Sequence, residues 1–250
     1  MSAPEISVVI PAHDEAESVH RLYHEIEQAL SSLHVTWEVI FVDDGSEDDT
    51  FARVRDLWAR RPETVRGVRF PRNLGKSVAL RAGFDAARGG TVITMDGDLQ
   101  DDPREIPRFL AALNEGYDLV SGWKRRRHDP LGKRIASKIF NGLVAPLAGL
   151  RLHDMNCGFK AYRAQLTREL PLRSGLHRFI PVLAHALGYR VGEIVVAHRP
   201  RSFGRSKYGW KRIPQALLDL TTVMLATRFG RRPPRGLASP ASYAVAERLD

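Results

Sequence analysis

Thr91-Val92-Ile93-Thr94-Met95-Asp96-Gly97-Asp98-Leu99-Gln100-Asp101-Asp102-Pro103 contains the transition that decides the fold. Thr91 to Met95 is a short, apolar, β-branched run of the kind that fills a buried strand. It stops at an acidic turn, and Pro103 then opens a helix at a position where its missing N–H costs nothing. The same unit of strand, polar turn and helix recurs upstream. Ile6 to Ile10 is an apolar run ended by Pro11, and Val19, Leu22, Tyr23, Ile26, Ala29 and Leu30 then follow at helical spacing. Trp37 to Val42 is a second strand, stopped by Asp43-Asp44-Gly45-Ser46 and followed by a helix through Phe51, Val54 and Leu57. A strand at Val65 to Phe70 and a helix from Lys76 to Arg88, stopped by Gly89-Gly90, complete the series. Strands and helices alternating at this spacing imply right-handed βαβ crossovers, and so an α/β, Rossmann-like and mostly parallel central sheet with helices on both faces.

Downstream of Val120 the pattern loosens and basic residues concentrate. Lys124-Arg125-Arg126-Arg127 is one cluster, and Arg199, Arg201, Arg205, Lys207, Lys211 and Arg212 make a second. Between them the spacing predicts helices at Lys133 to Leu147 and near Phe179 to Leu187, a turn at His153 to Gly158, and a strand at Val191 to Ala197. Ile213 to Phe229 reads as an apolar helix, either packed in the core or amphipathic and interfacial between its basic flanks. The expected organisation is one domain over residues 1–230, in halves 1–121 and 122–212 with the apolar helix at 213–229. The Pro-, Gly-, Ala- and Ser-rich tail, 231–250, is expected to be disordered.

The chain has 250 residues, 43% of them hydrophobic, enough for a core that needs no staples. Its single cysteine, Cys157, excludes an intrachain disulfide framework and Cys-rich zinc modules. The N-terminus runs straight into a strand without a signal-peptide pattern, and no uncharged apolar stretch reaches the ~18 residues of a membrane span. These features predict a soluble or peripherally bound cytoplasmic protein. Its 38 Lys and Arg against 29 Asp and Glu give a net charge of +9, which suits anionic partners: nucleic acid, phosphorylated substrates or an anionic membrane surface. Nucleic-acid binding lacks interleaved aromatics and any helix-turn-helix or zinc signature, and it leaves the acidic turns unexplained.

Three acidic or polar turns, Pro11-Ala12-His13-Asp14-Glu15, Asp43-Asp44-Gly45-Ser46 and Asp96-Gly97-Asp98-Leu99-Gln100, follow the first, second and fourth strands, at the carboxyl ends where open α/β sheets bind ligands. One Asp-Gly turn is ordinary turn chemistry; three at successive strand ends of a basic protein require a function. Asp96 and Asp98, with Gln100 two residues on, offer hard oxygen ligands to Mg²⁺ or Mn²⁺, an ion that would bridge to phosphates. There is no Walker motif, and no Gly-x-Gly-x-x-Gly follows the first strand. Asn73-Leu74-Gly75-Lys76 serves as a helix start at least as well as a phosphate loop. Cys157 suits a small packed hydrophobe, His153 a turn, and His177 a helix cap.

The segments Val8 to Glu15, Val42 to Ser46, Asn73 to Lys76 and Asp96 to Pro103 together resemble the inverting family 2 glycosyltransferases, which have a GT-A fold. Gly122-Trp123-Lys124, Phe140-Asn141, His153 to Arg163, and Arg201 through Ser206 to Gly209 resemble the polyprenyl-phosphate branch of that family. This branch includes dolichyl-phosphate mannose synthases and bacterial undecaprenyl-phosphate glucosyltransferases. The resemblance implies transfer of a hexose from a nucleotide-sugar donor to a polyprenyl phosphate, with Mg²⁺ or Mn²⁺, by an enzyme peripheral on the cytoplasmic face of the membrane. It implies that Glu15 and Asp44, with backbone near Pro11 and Val42, hold the base and ribose. Asp96, Gly97, Asp98 and Gln100 match the metal and diphosphate turn; Lys124, Arg201 and Lys207 match basic positions around the donor diphosphate and acceptor phosphate. Asp98, Asp154 and Arg201 are thereby the expected catalytic residues, although Asp154 is equally readable as a structural turn carboxylate. Similarity of Asp154 to Arg163 and of Tyr208 to Arg212 to the glucosyl branch tilts the donor towards UDP-glucose over GDP-mannose. A soluble family 2 transferase with a sugar or protein acceptor is the alternative.

Overall fold

The structure, a computed structural model, describes residues 3–125, 149–150, 152–173, 175–200, 223 and 243–250. The expected helix at Lys133 to Leu147, the basic residues Arg126, Arg127, Arg201, Arg205, Lys207, Lys211 and Arg212, and all of Ile213 to Phe229 except Val223 lie outside the described residues. Val223 itself is helical and fully buried.

The alternating apolar runs form the strands β1 (Ile6–Ala12), β2 (Trp37–Asp43), β3 (Val65–Arg69) and β4 (Thr91–Thr94). Between and after them lie the helices α1 (Val19–Ser31), α2 (Thr50–Arg60), α3 (Lys76–Ala86) and α4 (Ile106–Asn114). The chain then adds β5 (Leu119–Trp123), β6 (Lys160–Arg163), α5 (Ala164–Glu169), α6 (Ile180–Ala186), β7 (Val191–Val195) and β8 (Glu247–Leu249). Among the described residues, eight strands join one sheet in the order β7-β5-β6-β4-β1-β2-β3-β8. β1 pairs in parallel with β2 and β4, β2 with β3, and β5 with β7. β6 is antiparallel to both β4 and β5, and β8 is antiparallel to β3, so these two strands alone oppose the common direction.

The central strands of the sheet are buried on both faces, as their mostly apolar runs require. Val9, Ile40, Val42, Val68 and Val92 face one core, which includes Leu80 and Phe84 of α3 and Leu183 of α6. Val8, Ile10, Val39, Phe41 and Ile93 face the other, with Leu22 and Ile26 of α1, Val54 of α2 and Phe109 of α4. The expected layering holds.

Two features differ from the sequence reading. β6 carries a charge at each end and only Ala161-Tyr162 between, a pattern with too little apolar periodicity to mark a strand. It forms because Tyr162 and Ala161 are completely buried between β4 and β5. The tail expected to be disordered ends in β8, whose Leu249 is buried beside Gly67 while Glu247 pairs with Arg55 at 2.7 Å. Composition averaged over the tail hides this short strand.

Candidate active site

Because β4, β1 and β2 are consecutive in the sheet, the acidic turns that follow them meet at its carboxyl edge. Local hydrogen bonds lace them together. Asp44 N–H donates to the Ala12 carbonyl at 2.8 Å, and Asp14 N–H donates to Ser46 Oγ at 2.9 Å. Glu15 N–H donates to Thr50 Oγ1 at 2.8 Å. Ser18 Oγ reaches the carbonyls of Glu15 at 2.8 Å and of Gly97 at 2.5 Å, joining the first turn to the third. The Glu15 side chain and the Pro11 carbonyl stand against Gly97, within 4 Å of where its β-carbon would be. Pro11, Glu15, Asp44 and Gly97, singled out from sequence, are therefore neighbours.

Asp44 is buried and turned towards the start of α3. Its carboxylate accepts the N–H groups of Leu74 at 2.7 Å and of Gly75 at 2.9 Å. Burial raises its pKa despite these bonds. Gly45 is required here: it lies at φ +67°, and a β-carbon would fall 2.2 Å from the Arg72 carbonyl carbon. Asn73 to Lys76 is thus a helix start held by the second acidic turn.

The third turn is braced from below by lysines. Lys76, the first residue of α3, ion-pairs with the Asp96 carboxylate. Burial opposes ionisation of Asp96, but Lys76, Lys124 and Lys160 outweigh it and hold the carboxyl well below its usual range. Asp96 N–H donates to Asp101 Oδ2 at 3.2 Å, and Asp101 Oδ1 lies 2.7 Å from the Lys124 ammonium. Burial works against the Lys124 charge, and Asp101 more than restores it, raising that pKa. Lys124, expected among the basic positions around the donor diphosphate and acceptor phosphate, is mostly enclosed and paired with Asp101 of the turn. Asp98 is buried and accepts Gln100 N–H at 3.2 Å; the Gln100 amide donates to the Arg199 carbonyl at 3.3 Å. Arg199 clamps the outer side, meeting Glu25 at 2.5 Å and Asp102 at 2.6 Å. Arg104 and Arg199 overcome the burial of Asp102 and lower its carboxyl to about 2.

Beneath Asp96 runs the stretch His153 to Gly158. Asp154 is buried, with Cys157 and the enclosed Lys160 ammonium in its electrostatic surroundings. The Lys160 ammonium donates to the Cys157 carbonyl, and burial lowers its pKa. Burial also pushes the Cys157 thiol up to about 12, so it packs as a small hydrophobe and is no nucleophile. His177 does not cap α6. It is buried with Nδ1 2.8 Å from Ser77 Oγ, and burial drives its pKa well below the ordinary value.

Among the described residues, no group of three or more His, Cys, Asp or Glu side chains forms a metal cage. The donor set present, Asp96 partly open to solvent and Asp98 beside it in the turn, suits a hard divalent ion that draws its remaining ligands from phosphate and water. Lys76, Asp101 and Gly158 lie inside motifs singled out from the sequence, but their individual roles were not assigned there, because those roles depend on contacts with distant segments. Arg201 and Lys207 lie outside the described residues.

An α/β domain whose acidic turns gather, braced by lysines, at its strands' carboxyl ends has the layout in which open parallel sheets bind ligands. The profile of Glycosyl transferase family 2 matches residues 7–173, and the chain belongs to that family; it is a glycosyltransferase. It is 40% identical over 233 residues to the dodecaprenyl-phosphate galacturonate synthase of Rhizobium johnstonii, covering 92% of this chain and 69% of that one. It is 37% identical over 222 residues to the undecaprenyl-phosphate 4-deoxy-4-formamido-L-arabinose transferase of Aeromonas hydrophila, covering 89% and 68%. Glucosyl-3-phosphoglycerate synthase from Mycobacterium tuberculosis, crystallised with Mn²⁺, UDP and phosphoglyceric acid, superposes with a TM-score of 0.65 at 23% identity. That match covers 90% of this chain and 78% of the other, and it shows the expected GT-A fold. No helix among the described residues is long and apolar enough to cross a membrane.

Proposed function

We propose that this glycosyltransferase moves a sugar from a nucleotide-sugar to a polyprenyl phosphate, using a divalent ion at the Asp96–Asp98 turn. The observation that carries the reading is the convergence of the acidic turns on an Asp96 carboxylate held ionised by lysines. The names of the similar proteins supply the acceptor class. Those names specify galacturonate and formamido-arabinose, neither of them glucose or mannose, so they lend no support to the UDP-glucose expectation, and the donor is proposed only as a nucleotide-sugar.

The chemistry needs little proton transfer. An oxygen of the lipid phosphate attacks the anomeric carbon, the bond from that carbon to the nucleoside diphosphate breaks, and the configuration inverts. A phosphate monoester has its second pKa near about 6 and arrives largely deprotonated. The difficulty is bringing anion to anion and releasing a diphosphate. Asp96 and Asp98 would hold Mg²⁺ or Mn²⁺, which supplies charge neutralisation at the leaving group. Glu15 and Asp44 border the region proposed for the nucleoside, and Lys124 and Lys76 keep the acidic turn in shape. Arg201 and Lys207 are proposed to meet phosphate. Asp154, buried beneath the turn, is proposed to orient the neighbouring basic side chains rather than to take a proton. Docking is proposed to be peripheral, on an anionic membrane surface, driven by the basic excess.

Asp98→Ala tests the metal site. Losing a charge-assisted contact costs about 1.5–3 kcal/mol, so calorimetry should show Mn²⁺-dependent UDP binding weakened roughly tenfold or more. Unchanged affinity with and without Mn²⁺ in a folded variant would remove Asp98 from the site.

A further inference from the structure

We propose that Glu193 is a positioning residue for Asp154, an inference that rests on the transfer reading above. Glu193 lies on β7, and its side chain is only 10% exposed. Its carboxylate accepts His153 N–H at 3.0 Å and Asp154 N–H at 2.8 Å, both on Oε1. His153 Nδ1 lies 2.8 Å from Oε2, and because a carboxylate only accepts, this bond places the proton on Nδ1. The His153 ring in turn stacks on Trp123 of β5, centroids 3.9 Å apart and planes within 10°.

The other side of the same peptide is held by the facing strand. Ser121 is the register partner of Glu193 in the β5–β7 pairing, and its Oγ donates to the Asp154 carbonyl at 3.3 Å. Two side chains that sit opposite each other in the sheet therefore grip both backbone groups of Asp154. A largely enclosed carboxylate taking two consecutive N–H groups and an imidazole is an anchor of charge-assisted bonds, with the bond to Asp154 N–H the better sheltered and the two from His153 open to water. The anchored stretch continues to Gly158, directly beneath the Asp96 carboxylate. Glu193 thus fixes the height and direction of Asp154 relative to Lys160 and the acidic turn.

Glu193→Gln keeps the shape but removes the charge, and its NH₂ in place of Oε2 can only donate to His153 Nδ1, which must then give up its proton. Turnover of nucleotide-sugar with undecaprenyl phosphate, followed across the donors UDP-galacturonate, UDP-glucose and GDP-mannose, should fall at least tenfold in kcat. KM for the donor should stay within twofold, and the melting temperature should barely move. On an Asp154→Asn background the same change should add nothing further. Ser121→Ala, which releases only the opposite grip, should lower kcat a few-fold without loss of fold, and it serves if Glu193→Gln does not fold. Wild-type turnover with kcat unaffected by Glu193→Gln, or losses that simply multiply in the double variant, would overturn the positioning role alone. A wild-type chain that transfers label to undecaprenyl phosphate from no nucleotide-sugar, the formamido-arabinose donor included, would defeat the transfer reading and this inference with it.

Discussion

A β-carbon on Gly158 would lie 2.5 Å from Asp96 Oδ1 and 2.6 Å from Oδ2. No side chain fits there unless the carboxylate moves, and Asp96 is a short residue already tied to Lys76. Gly158→Ala should therefore push Asp96 away from its lysines and lower turnover at least tenfold, while thermal melting shifts by only a few degrees. Activity within twofold of wild type would show that the seat under Asp96 is unimportant. At this scale the sequence is informative where the chemistry is local. Asp96, Asp98 and Asp44 stand out because an acidic turn is written in adjacent residues. Gly158 and Glu193 do not, since their partners lie on other segments, and Lys76 was legible only as part of a helix start or phosphate loop, not as the partner of Asp96. Lys124 illustrates the difference: its charge was legible, but the sequence could not show that Asp101 engages it inside the fold.

The elements of the first half were legible because most strands are short apolar runs and α1, α2 and α4 each show a buried stripe, while α3 is buried nearly all round. The last strand was not. β8 is only 3 residues long, yet it closes the β3 edge, where an open ladder would otherwise invite pairing with another chain. Arg55 grips Glu247 through two N–H groups at 2.7 and 2.9 Å, and Tyr243 donates to Asp85 at 2.9 Å. Burial, reinforced by the Asp85 carboxylate, pushes the Tyr243 hydroxyl up to about 12 from its ordinary 10.0. The fold binds the neutral phenol. Its contribution is thus complete below the unfolded pKa and is lost as pH rises through about 12. Phenolate absorbance of wild type minus Tyr243→Phe should show this transition near pH 12. A difference transition at the ordinary value of 10.0 would mean that Tyr243 is not anchored.

Across the whole molecule, alternation of strands and helices settles the class of fold, and sheet order does the rest. With β1 between β4 and β2, three turns separated in the chain become one cleft. What alternation could not reveal is the antiparallel β6, which lets the later part of the chain extend the same sheet as β5 and β7 and brings His153 to Gly158 under the cleft. A net charge of +9 with the acidic turns gathered at one edge of the sheet is the charge layout from which the metal and phosphate sites are proposed. The central claim is tested by incubating the chain with radiolabelled nucleotide-sugars and undecaprenyl phosphate in anionic liposomes, then extracting the lipid. Label should enter the organic phase with at least one donor, require Mg²⁺ or Mn²⁺, and disappear with EDTA. A folded chain that binds nucleotide-sugars yet yields no lipid-linked label with any donor, or transfers label only to a soluble acceptor, would contradict it.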